Sequence, residues 1–515
     1  MTYDLLLRGG QLADGTGAPL RAADLAASSG RLTLLPPGAP ATARAEVDVT
    51  GSVVAPGFID VHTHSDGTAL LGPLTDLALA AVRQGVTVEI CGNCGSSMFP
   101  AGPGRTDDRA AIFTGFPAFA EAHERAGRAN HLAALAGHGT LRAAVIGEAD
   151  RPATPAELAA MADRLDADLR AGAAGLSTGL IYTPGTYAGT DEVVALAAVA
   201  ARHGKPYVTH LRDEMARVEE ALEEAVEIAR RSGAALHVSH HKTAGKHAWG
   251  RTERTLARLD ELRAAGLDVT CDVYPYTAGS TSLSAMLPPW ANDGGSEALA
   301  ARLADPAQRE LMRRAIADGV PGWENTVGNG GWDRISIACA EHRPADEGRV
   351  IADLAADRGL DPLDLVAELL AGGEVTIISH SMVEEDVQRV LGRPYTMIGS
   401  DGVPKPGRPH PRWAGTFPRV LGHYGRDLGL LGVAEAVRRM TGLAAERFGL
   451  RDRGVLRDGA HADLVVFDPA AVADRATYAE PLLPPAGIAL VAVAGEIVVR
   501  DGAPTGALPG KVLRV

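Results

Sequence analysis

Short apolar runs alternate with amphipathic helical segments through the middle of the chain, and this rhythm predicts parallel βα units. Eight of the runs have the length and content of buried strands. They are 58–64, 85–90, 132–136, 175–178, 206–209, 236–239, 268–273 and 396–400. Eight such strands are typical of a (β/α)8 TIM-like barrel, an α/β fold. A ninth run, 375–379, is expected outside the barrel as an accessory strand.

The segments between these runs have the signals of helices. Thr154-Pro155-Ala156-Glu157 combines an N-cap residue, proline at the first helical position and a capping-box glutamate. Leu158, Met161, Leu165 and Leu169 then recur on one face. We therefore expect a capped helix here that packs its apolar face on the barrel.

Both ends of the chain predict short strands separated by Gly and Pro turns. These runs are 5–8, 31–35, 46–49, 462–467, 488–493 and 496–499. Two all-β ends around a mixed middle predict one small β-sandwich formed by both termini. The expected domain limits are 1–55 and 451–515 for the sandwich and 56–450 for the barrel. An insertion at about 287–345 separates the last two barrel strands, and insertions of this kind usually act as lids or specificity loops.

Composition narrows the partners and the compartment. The 515 residues include 64 acidic and 50 basic side chains, a net charge of −14, so neither nucleic acid nor an anionic membrane is expected as partner. No apolar run reaches the roughly 18 residues of a membrane span, and the N-terminus lacks a secretory pattern, so we expect a cytoplasmic protein. Four scattered cysteines are too few for a disulfide framework.

The first barrel strand ends in His-x-His. Side chains two positions apart on a strand project to the same face, so His62 and His64 point together. They lie at the carboxyl end of the strand, which is the active-site mouth of a barrel. Taken alone, this pair is equally well explained as two ordinary polar residues.

Other predicted strands also end in residues that can bind a metal. Cys94, His210, His240 and Asp401 follow the second, fifth, sixth and eighth strands. Each histidine alone is more often an ordinary polar residue, but chance placement of the whole set at strand ends is improbable. Thiolate and imidazole together suit a borderline-soft ion, above all Zn²⁺.

Cys91 and Cys94 form a C-x-x-C motif, which is also found in redox sites and zinc knuckles. A knuckle needs a second pair, and Cys271 and Cys339 lie far apart in the sequence. A single thiolate at the mouth fits better. Cys94 lies in a glycine-flanked turn that allows close approach of a metal, whereas Cys91 is expected inside the strand.

Together these stretches resemble the N-acyl-D-amino-acid deacylase (D-aminoacylase) family of the amidohydrolase superfamily, over nearly the whole length. The stretches that carry the resemblance are PGFIDVHTH (56–64), GNCG (92–95), GHGTLR (137–142), THLRDE (209–214), SHHK (239–242), DVYPY (272–276) and IGSDG (398–402). Most amidohydrolases bridge two metals with a carboxylated lysine on strand four. Strand four has no lysine here, and the resemblance makes Cys94 the bridging ligand. A small departure is Gly139, where the family often has Ser.

The resemblance implies a tight zinc at Cys94, His210 and His240, and a second, weaker or partly empty site at His62 and His64. It also implies zinc-dependent hydrolysis of N-acyl-D-amino acids to a carboxylate and a free D-amino acid. Asp401 would take the proton of the attacking water and pass it to the leaving amine. Without the resemblance, Asp401 is also explained by an Asp-Gly turn. The D configuration rests on the resemblance alone.

Such a substrate carries a free α-carboxylate that must be held. Arg binds a carboxylate through a planar fork and Lys as a point charge. Lys242, Tyr274, Ser280 and Arg412 match the positions that bind this carboxylate in the family. For Arg412 a solvated surface charge is the alternative, since Arg408 is also available in the same loop.

The loop after strand seven lines the space for the substrate side chain in this family. Here it reads SLSAMLPPW (282–290), with no Arg or Lys before Arg302. An unpaired substrate carboxylate would be desolvated there at a cost, whereas an apolar side chain would gain by burial. We therefore expect hydrophobic substrates to be preferred over acidic ones, with Leu287 at the substrate. The alternative is that this run packs into the barrel rim.

Two other functions stay open. Cyclic-amide hydrolases of the hydantoinase or dihydroorotase kind share the superfamily but rely on the strand-four lysine, which is absent here. A catalytically inactive scaffold is the second alternative, and the intact set of ligands together with Asp401 counts against it. The sequence makes no prediction of oligomeric state.

Overall fold

The computed structural model describes residues 2–101 and 112–515, and a barrel of eight parallel strands lies at its centre. The strands are Phe58–Asp60, Val86–Cys91, His131–Ala134 with its continuation Ala136–Gly137, Leu176–Gly179, Tyr207–His210, Leu236–Val238, Val269–Val273 and Thr396–Ile398. Each pairs in parallel with its neighbour in chain order. The predicted (β/α)8 barrel is confirmed.

Hydrogen bonds close the barrel between its first and last strands. The Asp401 amide donates to the His62 carbonyl over 2.7 Å. The buried Asp60 carboxylate accepts from the amide of His62 at 3.2 Å and from that of Ser400 at 2.8 Å. These bonds hold two potential site residues, His62 and Asp401, on adjacent strand ends.

Helices surround the barrel. They are Asp76–Arg83, Phe116–Ala126, His138–Val145, Pro155–Ala171, Thr190–Arg202, Val218–Ser232, Thr252–Ala264, Glu384–Leu391, Arg412–Arg419, Val433–Met440 and Gly442–Arg447, with a π-helical segment at Val420–Asp427. The predicted capping box is present: Thr154 and Glu157 exchange hydrogen bonds, and Met161, Leu165 and Leu169 are buried. Within the described residues, no helix combines the length and apolar character needed to cross a membrane.

Strands from both ends of the chain meet in one sheet. They are Thr2–Leu12, Arg21–Ser28, Arg31–Leu35, Thr42–Asp48, Val53–Pro56, Leu464–Phe467, Ile488–Val493, Glu496–Arg500 and Ala503–Pro504. Val53–Pro56 joins the two ends, because it pairs with Thr2–Leu12 on one side and Leu464–Phe467 on the other. The predicted β-rich domain formed by both termini is confirmed, and its expected limits of 1–55 and 451–515 stay a prediction.

A separate unit lies between the last two barrel strands. Its antiparallel sheet consists of Gly279–Ser282, Ile335–Cys339 and Thr376–Ser379, which includes the predicted accessory strand. Its helices are Gly295–Ala304, Pro306–Asp318, Thr326–Gly330, Ile351–Arg358 and Pro362–Ala371. An apolar core distinct from that of the barrel spans Leu283 to Ile377. The insertion therefore extends on both sides of the predicted limits of about 287–345, because strands beyond those limits build its sheet.

Candidate active site

Six potential metal-binding side chains meet at the carboxyl ends of the barrel strands. They form two groups, His62, His64, Cys94 and Asp401 in one and Cys94, His210 and His240 in the other. Within each group the ligand atoms all lie within 4.8 Å of one another. Cys94 belongs to both groups, so its Sγ lies between two potential metal positions.

The Cys94 thiol is surrounded by imidazoles. Its Sγ lies 3.3 Å from Nε2 of His62 and 3.4 Å from Nε2 of His240. Burial opposes ionisation, but the charges of His62 and His240 outweigh it and hold the pKa of the Cys94 thiol well below its usual range. The site therefore favours a thiolate, which is the form of cysteine that binds metals.

The backbone around Cys94 depends on a glycine of strand four. Cys94 has a φ of 51°, in the left-handed region that is sparsely populated by residues other than glycine. A Cβ added at Gly179 would lie 2.1 Å from the Cys94 carbonyl oxygen. Strand four thus has no room for a side chain at this position, because the loop that carries Cys94 occupies the space.

Two buried carboxylates, which the pattern of strand ends does not predict, orient the histidines. Asp272 accepts the amide of His240 at 2.9 Å and lies 3.4 Å from Nδ1 of His62. Glu214 lies 3.1 Å from Nδ1 of His240 and binds Nζ of Lys242 at 2.7 Å. Carboxylates that hold the second nitrogen of a ligating histidine are common around metals. The sequence contains one signal for Glu214: it lies four residues after the potential ligand His210, a spacing that allows the two side chains to meet.

The residues present fit a zinc ion. Neither ring nitrogen of His210 has a hydrogen-bond partner among the described residues, although the residue is only 4% exposed, and the nearest carboxylate oxygen, of Glu214, lies 3.4 Å from Nε2. Buried nitrogens without a hydrogen bond beside the Cys94 thiolate and His240 are accounted for if these residues bind a metal. One thiolate with two imidazoles is a zinc ligand set that leaves the fourth position open.

One carboxylate oxygen of Asp401 lies among the potential ligands, and the other pairs with an arginine. Its Oδ2 pairs with Nη1 of Arg412 at 2.9 Å, and its Oδ1 lies 3.2 Å from Nε2 of His64. Burial would raise the pKa of Asp401, but the charges of Arg412 and His62 hold it well below its usual range. Asp401 is therefore ionised at neutral pH.

The four predicted carboxylate-binding residues are close together. The Arg412 guanidinium lies 4.5 Å from the centre of the Tyr274 ring, and Lys242 Nζ lies 5.7 Å from it. Arg412 also donates to the Ser280 carbonyl at 3.3 Å. Arg412 is fully buried whereas Arg408 is exposed, so a solvated surface charge does not describe Arg412.

A cavity above these residues opens towards solvent. Asp401, Lys242, Tyr274 and Ser280 line it, while Arg412 lies directly behind Asp401 and Tyr274. The opposite wall belongs to the insertion. Its lining residues include Ala285, Met286, Trp323, Glu324 and Thr326.

The prediction that Leu287 lies at the substrate does not hold. Leu287 is 1% exposed and packs in the core of the insertion, not along the cavity. The apolar character of 282–290 does not distinguish a residue in the insertion core from one along the cavity, and a 3₁₀ turn at Leu283–Met286 directly precedes Leu287. Ala285 and Met286 line the cavity instead.

The sequence of the chain is similar to that of known proteins. The chain matches the Amidohydrolase family over residues 45–499. It is 41% identical to a D-aminoacylase of Alcaligenes xylosoxydans xylosoxydans, over 99% of this chain and 97% of that protein. It is 38% identical to an N-acyl-D-aspartate deacylase of the same organism, over 99% and 95%.

A solved structure agrees over the full length. It is the crystal structure of an N-acyl-D-glutamate deacylase from Bordetella bronchiseptica, complexed with zinc and a phosphonate inhibitor that mimics the tetrahedral intermediate. Its TM-score is 0.86 at 40% sequence identity, and the match covers 100% of both chains. These relatives are named for substrates with different side chains. Overall similarity to them therefore does not decide which substrate side chain this chain prefers.

Zinc content is expected to distinguish the two neighbouring cysteines. Cys94→Ala removes the Sγ shared by both groups and should weaken zinc binding by at least roughly 10–100-fold, the loss that follows from disturbing even an outer contact. Cys91→Ala removes a thiol at the end of a buried strand and should retain zinc. Elemental analysis after dialysis against a chelator makes the comparison, and full zinc in the Cys94 variant would contradict the assignment.

Proposed function

We propose, from the premise that this chain belongs to the amidohydrolase family, that it hydrolyses N-acyl-D-amino acids with the help of zinc. The products are a carboxylate and a free D-amino acid. The observation that carries the proposal is the pair of potential metal sites that share Cys94, with ionised Asp401 at their edge. Relatives of 38–41% identity over the whole chain are deacylases of N-acyl-D-amino acids by name.

Zinc would be held in two places. Cys94, His210 and His240 would form the tight site, and His62 and His64 a second, weaker one that also uses Cys94. When bound, zinc supplies Lewis acidity, which lowers the pKa of water and polarises the scissile carbonyl. Glu214 and Asp272 hold the histidines in the orientation that this requires.

Asp401 moves the proton. Its carboxylate accepts a proton from the attacking water and delivers it to the amide nitrogen as the carbon–nitrogen bond breaks. The Arg412 pair at Oδ2 leaves Oδ1 directed towards the potential metal positions. One group can therefore act first as base and then as acid without a second titrating side chain.

The substrate α-carboxylate would bind at Lys242, Tyr274, Ser280 and Arg412. The first three line the cavity, and the Arg412 guanidinium lies against the Tyr274 ring. A carboxylate held there fixes the scissile amide relative to Asp401. Orientation of this kind can lower the activation barrier of a reaction by up to about 7–11 kcal/mol.

Hydrophobic substrate side chains are proposed to be preferred. With Leu287 in the insertion core, the apolar part of the cavity is formed by Ile181, Met286 and Trp323. Apolar surface buried against such a wall contributes about 25 cal/mol per Å². The cyclic-amide alternative is not favoured, because strand four, residues 175–179, contains no lysine.

We also propose a cytoplasmic location. All four cysteines are unpaired and buried, and none forms a disulfide. A site that uses the Cys94 thiolate as a ligand needs a compartment in which thiols stay reduced.

A hydrolysis panel tests the proposed reaction. Zinc-loaded enzyme is expected to release D-leucine and D-methionine from their N-acetyl derivatives and to leave the L enantiomers intact. Amine release measured with a ninhydrin-type reagent gives kcat/KM for each. Equal hydrolysis of both enantiomers, or none of either, would contradict the proposal.

Asp401→Asn tests the proton transfer. Asparagine keeps the size and polarity of the side chain but cannot accept the proton of water. Turnover should fall by roughly 10²–10⁴-fold, the contribution of general acid–base catalysis. Zinc content serves as the control and should change little. A variant that keeps both zinc and turnover would rule out this role.

Arg412→Lys tests the carboxylate clamp against Arg408→Lys as a matched control. Lysine keeps the charge but loses the planar fork, so the proposed role predicts a raised KM together with a lowered kcat. An Arg412 that only holds Asp401 would lower kcat and leave KM unchanged. Arg408→Lys changes an exposed side chain and should leave both constants within about twofold, since surface substitutions of this kind have small effects.

A further inference from the structure

The insertion places a carboxylate without a cationic partner in the substrate cavity. Glu324 lines the cavity beside Trp323 and is partly buried. Its Oε2 accepts the amide of Glu214 at 2.5 Å, and its Oε1 accepts the Thr326 hydroxyl at 3.5 Å. Across residues 2–101 and 112–515, the structure records no Lys, Arg or His in an ion pair with it.

The other two carboxylates that line the cavity are neutralised. Glu214 pairs with Lys242 at 2.7 Å, and Asp401 pairs with Arg412 at 2.9 Å. Among the carboxylates of the described residues that line the cavity, Glu324 is therefore the one without a cationic partner. A partly desolvated and unpaired carboxylate favours a ligand that brings a positive charge and disfavours one that brings a negative charge.

Glu324 lies on the wall that a substrate side chain would meet. Its hydrogen bond to the Glu214 amide joins it to the residue whose side chain binds Lys242, one of the proposed α-carboxylate ligands. The side chain and the α-carboxylate leave the same carbon atom, so they contact neighbouring parts of the cavity. The apolar surfaces of Trp323 and Met286 adjoin this position and can pack on a methylene stem.

We propose that Glu324 sets the charge preference for the substrate side chain, and this rests on the proposed deacylase function. It repels N-acyl-D-glutamate and N-acyl-D-aspartate. It attracts N-acyl-D-arginine and N-acyl-D-lysine, whose stems pack on the apolar wall while their cations reach the carboxylate. Aliphatic side chains end short of it and are accepted without regard to its charge.

Glu324→Gln is the decisive variant, compared with Glu297→Gln as matched control. Glu297 is an exposed acid of the same insertion, outside the cavity, so the control removes the same charge elsewhere. Burial, with Glu214 and Asp213, raises the pKa of Glu324 to about 7, so the assays are run at about pH 8.5, where the carboxyl is ionised. The substrates are N-acetyl-D-leucine, N-acetyl-D-glutamate and N-acetyl-D-arginine.

In Glu324→Gln, kcat/KM for the arginine substrate should fall and that for the glutamate substrate should rise, each by roughly tenfold. The leucine value should stay within about threefold, and Glu297→Gln should change none of the three beyond that. Glu324→Asp keeps the charge and should keep the wild-type order. Thermal melting identifies a variant that has lost its fold, in which case the Glu324→Asp and Glu324→Ala pair replaces it.

Unchanged glutamate-to-leucine and arginine-to-leucine ratios in the variants would overturn the inference while leaving the deacylase function intact. The inference would also be overturned if Glu324→Gln changed the ratio of kcat/KM between N-succinyl-D-leucine and N-acetyl-D-leucine instead. These two substrates differ only in the acyl group, so Glu324 would then face the acyl group. Loss of all activity already in the wild-type panel would instead refute the proposed function, and the inference with it.

Discussion

The negative charge of a buried thiolate is the constraint that the barrel mouth has to satisfy. Cys94 is 6% exposed, and an ionised sulfur at that depth is stable only if positive charge or a metal lies beside it. Imidazoles from the first, fifth and sixth strands supply this environment, and Asp272 and Glu214 hold their outer nitrogens. The negative thiolate is thus surrounded by imidazoles, and the imidazoles are in turn surrounded by carboxylates. We call these layers of alternating charge the shells around Cys94.

The barrel backbone is shaped around the same sulfur. Cys94, His240 and Asp401 all have positive φ values, of 51°, 33° and 49°. Non-glycine residues in this region are strained, and such strain persists where the surroundings over-determine the conformation. Here the surroundings are Gly179, against which the Cys94 loop packs, and the hydrogen bonds of Asp60 that tie the first strand to the last. Strain at three strand ends is the cost of directing three side chains to one point.

The sequence allowed the barrel and the potential ligands to be predicted for one physical reason: strand ends are marked locally. An apolar run that stops at His, Cys or Asp locates both the strand and the residue at the mouth, and these residues lie together in the structure. The supporting carboxylates carry no such mark. Glu214 and His240 follow two different strands, and their side chains meet only because these strands pack side by side. The positions of single residues along the sequence do not show such a contact.

The insertion was predicted less well because its residues are ordered by tertiary contacts. Leu287 is apolar, as a residue that lines the cavity would be, yet it is buried in the insertion core just after a short 3₁₀ turn. That core is separate from the core of the barrel, so the wall that Met286 builds packs independently of the barrel core. Glu324 is the point of contact between the two units, because it accepts the amide of Glu214. The relatives are named for different substrates, D-aminoacylase, N-acyl-D-aspartate deacylase and N-acyl-D-glutamate deacylase, and a separately packed cavity wall is a place where such differences can arise. Chemistry depends on strand ends that tolerate little change, and selectivity depends on an independently packed unit that tolerates more.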